Sequence, residues 1–134
     1  MPDFKLQRLG MIMEPAPGDP NEVDLLVAKF EAVRAVGVTT MSVNWDDVPP
    51  GGADLGAEHA GAVAQCVDRL GPGIKWTTCP VDYAMTETTD YLRGFAEALP
   101  PDVDILWTGS SVLAPSLATA EVAGTEWFVQ PAAA

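Results

Sequence analysis

The sequence predicts an α/β protein: a partial (β/α)8 TIM barrel of about four to five parallel βα units, in a single domain over residues 1–134. Short apolar segments alternate with amphipathic segments of helical period, which is typical of parallel βα units. The apolar segments are rich in β-branched residues and nearly free of charge, as in strands covered on both faces. A closed barrel takes about 250 residues, so this chain holds roughly half of one. The pattern also fits a small doubly wound sheet, and both architectures stay open at this point.

Each element is predicted from its own local pattern. The four strand segments are Leu9–Met13, Val38–Trp45, Ile74–Cys79 and Val103–Trp107. The first main helix begins at Pro20, after an Asp19 cap, and ends before Gly37. The second runs from about Asp54 to Leu70, and the third from about Thr88 to Leu99. A fifth unit has weaker signals, with a short helix near Ser116–Val122 and a possible strand over Glu126–Gln130.

The charge balance narrows the classes of partner. Seven basic and nineteen acidic side chains give a net charge of −12. A field of this sign repels phosphate backbones and anionic lipid surfaces, so we expect neither nucleic acid nor a membrane as partner. We expect a soluble protein, because no segment approaches the roughly 20 apolar residues of a membrane span. Residues Met1–Arg8 also lack the pattern of a secretory signal.

The cysteines and the histidine suggest neither a disulfide framework nor a metal site. Cys66 is expected on a helix and Cys79 on a strand, both as buried thiols. His59 is the only histidine, and no second ligand lies at metal-binding spacing. We therefore expect His59 on a helix surface or in the core, and we predict no metal and no cofactor. Trp45 and Trp76 are interpreted as packing residues.

Active sites of parallel α/β proteins lie beyond the carboxyl ends of the strands. In this chain those positions hold Glu14, Asp46-Asp47, Asp82-Tyr83 and Trp107-Thr108. Carboxylates and aromatic rings together are a reasonable lining for a sugar pocket. Several of these residues also have ordinary interpretations: Glu14 as a solvated loop carboxylate, Asp82 as a turn cap, and Trp107 as a packing residue.

The adjacent carboxylates of Asp46 and Asp47 are the most specific feature. Repulsion between two such groups in a dry pocket favours a protonated acid near neutral pH, which is what a general acid needs. Neighbouring residues cannot lie on opposite sides of a scissile bond, as the usual pair of glycosidase carboxylates does. One of them can instead orient a nucleophile carried by the substrate while the other protonates the leaving oxygen. From the pair alone, a solvated turn has equal weight.

Several motifs in order resemble the catalytic core of glycoside hydrolase family 84, the β-N-acetylglucosaminidase (O-GlcNAcase, hyaluronidase-like) family. The resemblance begins in Leu25–Pro49, which contains Lys29-Phe30 and Asp46-Asp47-Val48-Pro49. It continues through Cys79-Pro80-Val81-Asp82-Tyr83, Asp90-Tyr91-Leu92-Arg93 and Leu99–Gly109. In all it covers roughly Leu9 to Val122.

The resemblance implies a retaining, substrate-assisted mechanism on substrates that carry β-linked N-acetylglucosamine. In that mechanism the acetamide carbonyl of the sugar attacks its own anomeric carbon and forms an oxazoline. The resemblance assigns orientation of the acetamide to Asp46 and the acid and base steps to Asp47. It assigns assistance at the acetamido group to Tyr83, and it implies that Asp82, Trp107 and Thr108 lie on the substrate side of the pocket. No cofactor is implied.

Two other functions are compatible with parts of the sequence. The family's Gly-Phe-Tyr-Gly segment has no counterpart here, and Thr125–Gln130 lacks the Asp and Asn residues of a later family segment. The chain is therefore also interpretable as a non-catalytic barrel remnant that binds an N-acetylated sugar or a partner chain, with open sheet edges that favour homo-oligomers. A receiver-like Mg²⁺-binding domain is disfavoured, because it needs the acidic pair after its first strand and a lysine after its last.

Overall fold

A computed structural model describes residues 8–12 and 20–123. Within these ranges the chain has an α/β fold with a parallel sheet. The strands are Arg8–Ile12 (β1), Thr40–Asn44 (β2), Lys75–Cys79 (β3) and Asp104–Ile105 (β4). The helices are Pro20–Ala35 (α1), Ala53–Leu70 (α2), Asp90–Ala98 (α3) and Thr119–Ala123 (α4). The predicted α/β class is confirmed, and these strands and helices fall where the sequence predicts them, with bounds that differ by up to three residues.

The strands lie in the order β1-β2-β3-β4, the order in which they occur along the chain. A doubly wound sheet reverses its order at a switch point, whereas a barrel keeps its strands in sequence. The observed order therefore favours the barrel architecture. Within the described residues the sheet is open, with β1 and β4 at its edges. The register aligns Ile12 with Asn44 and Asn44 with Cys79, so these three strands end at the same edge.

Helix α1 carries a charge of the favourable sign at each end. Glu22 lies in its first turn and Arg34 in its last, where each charge complements the helix dipole. Arg34 also donates hydrogen bonds to the carbonyl oxygens of Leu70 and Pro72, at the end of α2. Gly37 adopts a φ of +95°, which is why the chain can turn sharply after the helix. The predicted cap Asp19 lies outside the described residues.

The core lies between the helices and the sheet. Phe30 from α1 contacts Trp76 from β3 edge to face, with ring centroids 5.0 Å apart. Trp45 and Trp76 are only 2 % and 3 % exposed, which confirms their predicted packing role. Cys66 and Cys79 are both buried and free, as expected. Other large core side chains come from the helices and from the sheet, among them Leu26, Met41, Val43, Val63, Leu92 and Phe95.

Helices α2 and α3 approach each other so closely that only glycine fits at two positions. A Cβ on Gly56 would lie 2.1 Å from the carbonyl oxygen of Tyr91, and one on Gly94 would lie 2.2 Å from that of Ala53. Each glycine thus faces backbone of the opposite helix. The crossing brings the first turns of α2 against α3, next to the carboxyl edge of the sheet.

Strand β4 is shorter than the predicted Val103–Trp107 because the chain leaves the ladder early. The backbone of Leu106 still donates to Thr78, but the next two residues bond to the loop after β3 instead. The predicted strand Glu126–Gln130 lies outside the described residues. Among the residues that are described, no helix is long and apolar enough to cross a membrane.

Candidate active site

Asp46 and Asp47 lie in the middle of a tight turn at the carboxyl end of β2. The backbone N–H of Trp45 donates to Cys79 O at 2.8 Å and continues the ladder by one residue. The N–H of Val48 then donates to Trp45 O at 3.2 Å and closes the turn around the two aspartates. Trp45 and Val48 are both buried, so they anchor the turn to the core on either side.

The two carboxylates have different surroundings. Asp46 is half-buried, whereas Asp47 is exposed. The negative charge of Asp46 acts on Cys79 at the end of the neighbouring strand: burial first, and this charge second, raise the pKa of the Cys79 thiol to about 12. Because Asp47 is exposed, the described residues do not enclose the pair in a dry pocket. The arrangement gives one carboxylate on the β3 side of the turn and one open to solvent.

The loop after β3 carries Asp82 and Tyr83 beside this turn. Asp82 accepts a hydrogen bond from the hydroxyl of Thr89 at 2.5 Å. The same Thr89 oxygen accepts from the backbone N–H of Leu92 at 3.1 Å and thereby caps α3. Asp82 therefore ties its loop to the start of α3. Tyr83 is half-buried.

The loop after β4 is bonded to the loop after β3. The indole N–H of Trp107 donates to Met85 O at 2.8 Å, and the backbone N–H of Thr108 donates to Tyr83 O at 3.1 Å. The hydroxyl of Thr108 donates to Ser111 O at 2.8 Å. Trp107 and Thr108 thus brace the loop that presents Tyr83, and both side chains are half-buried.

Three of the four predicted strand-end positions therefore lie along one edge in strand order. The acidic turn comes first, the Asp82-Tyr83 loop lies beside it, and the Trp107-Thr108 loop lies beyond that. Strands in a sheet are about 4.8 Å apart, so the outer two positions are separated by roughly two such spacings. Glu14, the fourth position, lies outside the described residues.

The sequence did not predict the buried cluster under the acidic turn. His59 on α2 is 0 % exposed, and its imidazole stacks on the indole of Trp45 at 4.0 Å with an interplanar angle of 3°. Its Nδ1 lies 2.8 Å from the hydroxyl of Tyr91, which also accepts from the N–H of Val81 at 3.2 Å. The spacing of His59 to the inward-facing Val63 and Cys66 was a usable signal that this histidine belongs to the core.

Burial controls the protonation of this cluster. It lowers the pKa of His59 to about 4, so the imidazole is neutral at physiological pH. Burial is also the main cause that raises the pKa of the Tyr91 phenol above its usual range. The cluster is thus uncharged, and its hydrogen bonds join neutral groups.

The fold and the site together define a class of protein: a parallel α/β chain in barrel strand order, with an acidic turn and aromatic loops at the carboxyl edge of its sheet. A family model described as beta-N-acetylglucosaminidase (NAGidase) matches residues 11–132. The chain belongs to this family, glycoside hydrolase family 84.

Solved structures with the same fold cover most of this chain. A mutant of the Thermobaculum terrenum O-GlcNAc hydrolase aligns with a TM-score of 0.78 and 20% identity over 93% of this chain. The protein named CpGH84B aligns with a TM-score of 0.69 and 24% identity over 81%, and CpGH84D with 0.70 and 20% over 90%. This chain spans 30%, 21% and 22% of their respective lengths.

Proposed function

We propose that this chain carries the acid/base centre of a retaining, substrate-assisted β-N-acetylglucosaminidase. The observation that carries the proposal is the pair Asp46-Asp47, held in a tight turn at the carboxyl end of β2, in a chain of the NAGidase family. The substrates are glycans or glycoproteins with a β-linked N-acetylglucosamine, and no cofactor takes part. The net charge of −12 suits a substrate that is not strongly anionic.

The difference in exposure between the two carboxylates supports a division of roles. Asp46, half-buried beside β3, accepts the acetamide N–H and makes the carbonyl oxygen a better nucleophile. The carbonyl oxygen bonds to the anomeric carbon as the bond from that carbon to the leaving-group oxygen breaks. Asp47 donates a proton to the leaving-group oxygen. Asp47 then removes a proton from the water that opens the oxazoline. Its exposure leaves room for both the leaving group and the water.

The neighbouring loops supply the proposed sugar contacts. The Tyr83 phenol steadies the acetamido group, and Trp107 gives the ring an apolar face. We assign Asp82 and Thr108 to the substrate side of the same loops. The hydrogen bonds that join Asp82 to Thr89 and Thr108 to Ser111 fix the loop shape. These two residues thus act mainly by holding Tyr83 and Trp107 in position.

The test is hydrolysis of aryl N-acetyl-β-glucosaminides by the full chain. Asp47→Asn should lower kcat/KM by about 10²- to 10⁴-fold on a 4-nitrophenyl glycoside. The loss should be much smaller on a 2,4-dinitrophenyl glycoside, whose leaving group needs no proton. Asp46→Asn should be slow on both. The control Asp102→Asn makes the same change at an exposed position before β4, at the opposite end of the sheet. Wild-type turnover by Asp47→Asn contradicts the proposal.

A second candidate function is binding without hydrolysis, which the exposure of Asp47 favours. In that case the chain is a non-catalytic barrel remnant that binds an N-acetylated sugar or a partner chain. A non-hydrolysable thioglycoside of N-acetylglucosamine distinguishes the two functions. Saturable binding that Asp46→Asn weakens, with no turnover of either aryl glycoside, supports the remnant over the enzyme.

A further inference from the structure

A single buried pair of side chains contacts both loops of the proposed centre. The imidazole of His59 lies flat against Trp45, one residue before Asp46. The hydroxyl of Tyr91 binds His59 on one side and the backbone N–H of Val81, one residue before Asp82, on the other. His59 and Tyr91 are 0 % and 1 % exposed, so neither side chain has solvent as an alternative partner.

The hydrogen bonds of the pair have one consistent direction. The N–H of Val81 must donate, and it donates to the phenol oxygen of Tyr91. The single phenol proton then needs an acceptor, and His59 Nδ1 lies 2.8 Å from the hydroxyl. We therefore assign the neutral tautomer that carries its proton on Nε2, in which Nδ1 accepts the phenol proton. The chain of bonds therefore runs from Val81 through Tyr91 to His59, and the aromatic stack continues it to Trp45.

The helices hold this pair rigidly. Gly56 and Gly94 let α2 and α3 meet backbone to backbone, and His59 lies one turn beyond Gly56. Tyr91 lies in the first turn of α3, and its ring also packs on Phe95 with centroids 5.8 Å apart. Two side chains fixed on two closely packed helices cannot move independently, so the points that they contact are held at a constant spacing.

Packing alone does not account for a histidine at this position. His59 Nε2 and Trp45 Nε1 are both buried with no hydrogen-bond partner among the described residues. A buried unpaired N–H destabilises a fold, and a phenylalanine in place of His59 would fill the space without that penalty. Local features that oppose stability are expected where a residue serves the site. The feature that a phenylalanine lacks is the acceptor for Tyr91.

We propose that His59 and Tyr91 form one positioning unit that sets the spacing between the Asp46-Asp47 turn and the Val81–Tyr83 loop. Neither residue touches the substrate; both act through the loops that they hold. The role in catalysis rests on the proposed function, whereas the coupling between the loops does not. In the proposed reaction, this spacing places the carboxylate of Asp46 and the phenol of Tyr83 on the same acetamido group.

The test measures amide hydrogen exchange and chemical shifts by NMR in Tyr91→Phe, His59→Phe and the double variant of the full chain. Tyr91→Phe removes only the hydroxyl, so the Val81 amide should exchange at least about tenfold faster. Coupling predicts that the amide signals of Asp46 and Asp47 shift as well. His59→Phe keeps a ring against Trp45 but removes the acceptor, and the double variant should then show less than the sum of the two single effects.

The control is Phe30→Leu, a core substitution on α1 that contacts Trp76 rather than the pair. It should leave the relative exchange of Val81, Asp46 and Asp47 unchanged. Unmoved Asp46 and Asp47 signals in Tyr91→Phe, or strictly additive effects in the double variant, overturn the proposal. Uniformly faster exchange through α2 and α3 also overturns it, because that result indicates plain destabilisation.

Kinetics separate the failure of the positioning unit from the failure of the proposed function. If the wild-type chain turns over an aryl glycoside, Tyr91→Phe should lower kcat by about tenfold and leave KM nearly unchanged, since geometry rather than binding is lost. If Phe30→Leu lowers kcat as much as Tyr91→Phe does, the positioning role is overturned. Absence of wild-type turnover counts against the proposed function alone, and the NMR result still decides the coupling.

Discussion

The protonation of His59 links the buried cluster to pH. Its pKa is lowered from 6.5 to about 4 by burial, so the folded chain binds a proton less readily than the unfolded chain does. The unfolded state therefore gains a proton as the pH falls from about 6.5 to about 4, and the free energy of unfolding falls in this window. The stabilisation is fully present above pH 6.5, and its loss approaches about 3 kcal/mol near pH 4.

This loss is measured by urea unfolding at pH 7 and near pH 4.5, in wild type and in His59→Phe. The carboxylates contribute equally to both proteins, so the difference between their pH dependences isolates the imidazole. We expect the variant to lose less stability on acidification. Parallel pH dependences in the two proteins contradict a buried, neutral His59.

At the residue scale, the sequence predicts where a side chain lies along the chain and the sheet better than it predicts which side chains contact each other. The strand-end positions of Asp46, Asp47 and Tyr83 followed from the βα pattern, because parallel strands end at one edge. The hydrogen bond between His59 and Tyr91 did not follow, since these residues are 32 positions apart and meet only through the crossing of two helices. The hydrophobic periodicity of each helix does not predict the angle at which the two helices cross.

At the scale of elements, the contact between α2 and α3 depends on two glycines. Alanine in a helix interior is normally more favourable than glycine by up to about 1 kcal/mol. In Gly94→Ala the new methyl group would overlap the carbonyl of Ala53, and the helices would have to separate. We expect this variant to lose about 1–3 kcal/mol of unfolding free energy, as overpacked sites do, measured by urea unfolding followed by circular dichroism.

Gly61→Ala is the matched control in the interior of α2, because a Cβ on Gly61 meets no atom within 4 Å apart from its chain neighbours and the adjacent backbone of the same helix. It should be neutral or stabilising by up to about 1 kcal/mol. A stabilised Gly94→Ala would show that the helices separate freely and would weaken the case for a rigid spacing between the two loops.

The bounds of two elements, α4 and β4, differ from those that the sequence predicts. The sequence predicts a short helix near Ser116–Val122, whereas α4 covers Thr119–Ala123. Just before it, the carboxylate of Glu121 accepts a hydrogen bond from the N–H of Ala118 at 2.7 Å. That glutamate acts as a cap, and it sets the start of the helix. Strand β4 ended early for a tertiary reason, since Trp107 and Thr108 bond to the loop after β3. Contacts between residues far apart in the sequence cannot be predicted from the pattern of neighbouring residues.

At the scale of the whole molecule, open edges and strong negative charge oppose each other. β1 and β4 are the edges of the sheet within residues 8–12 and 20–123, and an edge strand that remains unpaired favours association with another chain. On the β4 edge, Asp104 pairs with Lys75 at 3.1 Å, yet both side chains remain largely exposed. The net charge of −12 repels a second copy at low ionic strength.

We therefore propose self-association that increases with salt. The weight-average mass from analytical ultracentrifugation should rise between about 20 mM and about 0.5 M NaCl, because the added salt screens the repulsion. Leu113→Ser tests the alternative contact, since Leu113 is an 88% exposed apolar residue outside the edges. Association that survives this substitution supports the edges, and a constant monomer mass at both salt concentrations contradicts the proposal.

The reactivity of the two buried thiols reports on local opening of the fold. Burial raises the pKa of both Cys66 and Cys79 to about 12, so almost no thiolate exists at neutral pH in the folded chain. Alkylating reagents can then react only during an opening event. Cys79 ends the strand beside the acidic turn, while Cys66 is buried about one turn before the end of α2. Their labelling rates therefore distinguish brief fraying at the carboxyl edge of the sheet from opening of the core beneath α2.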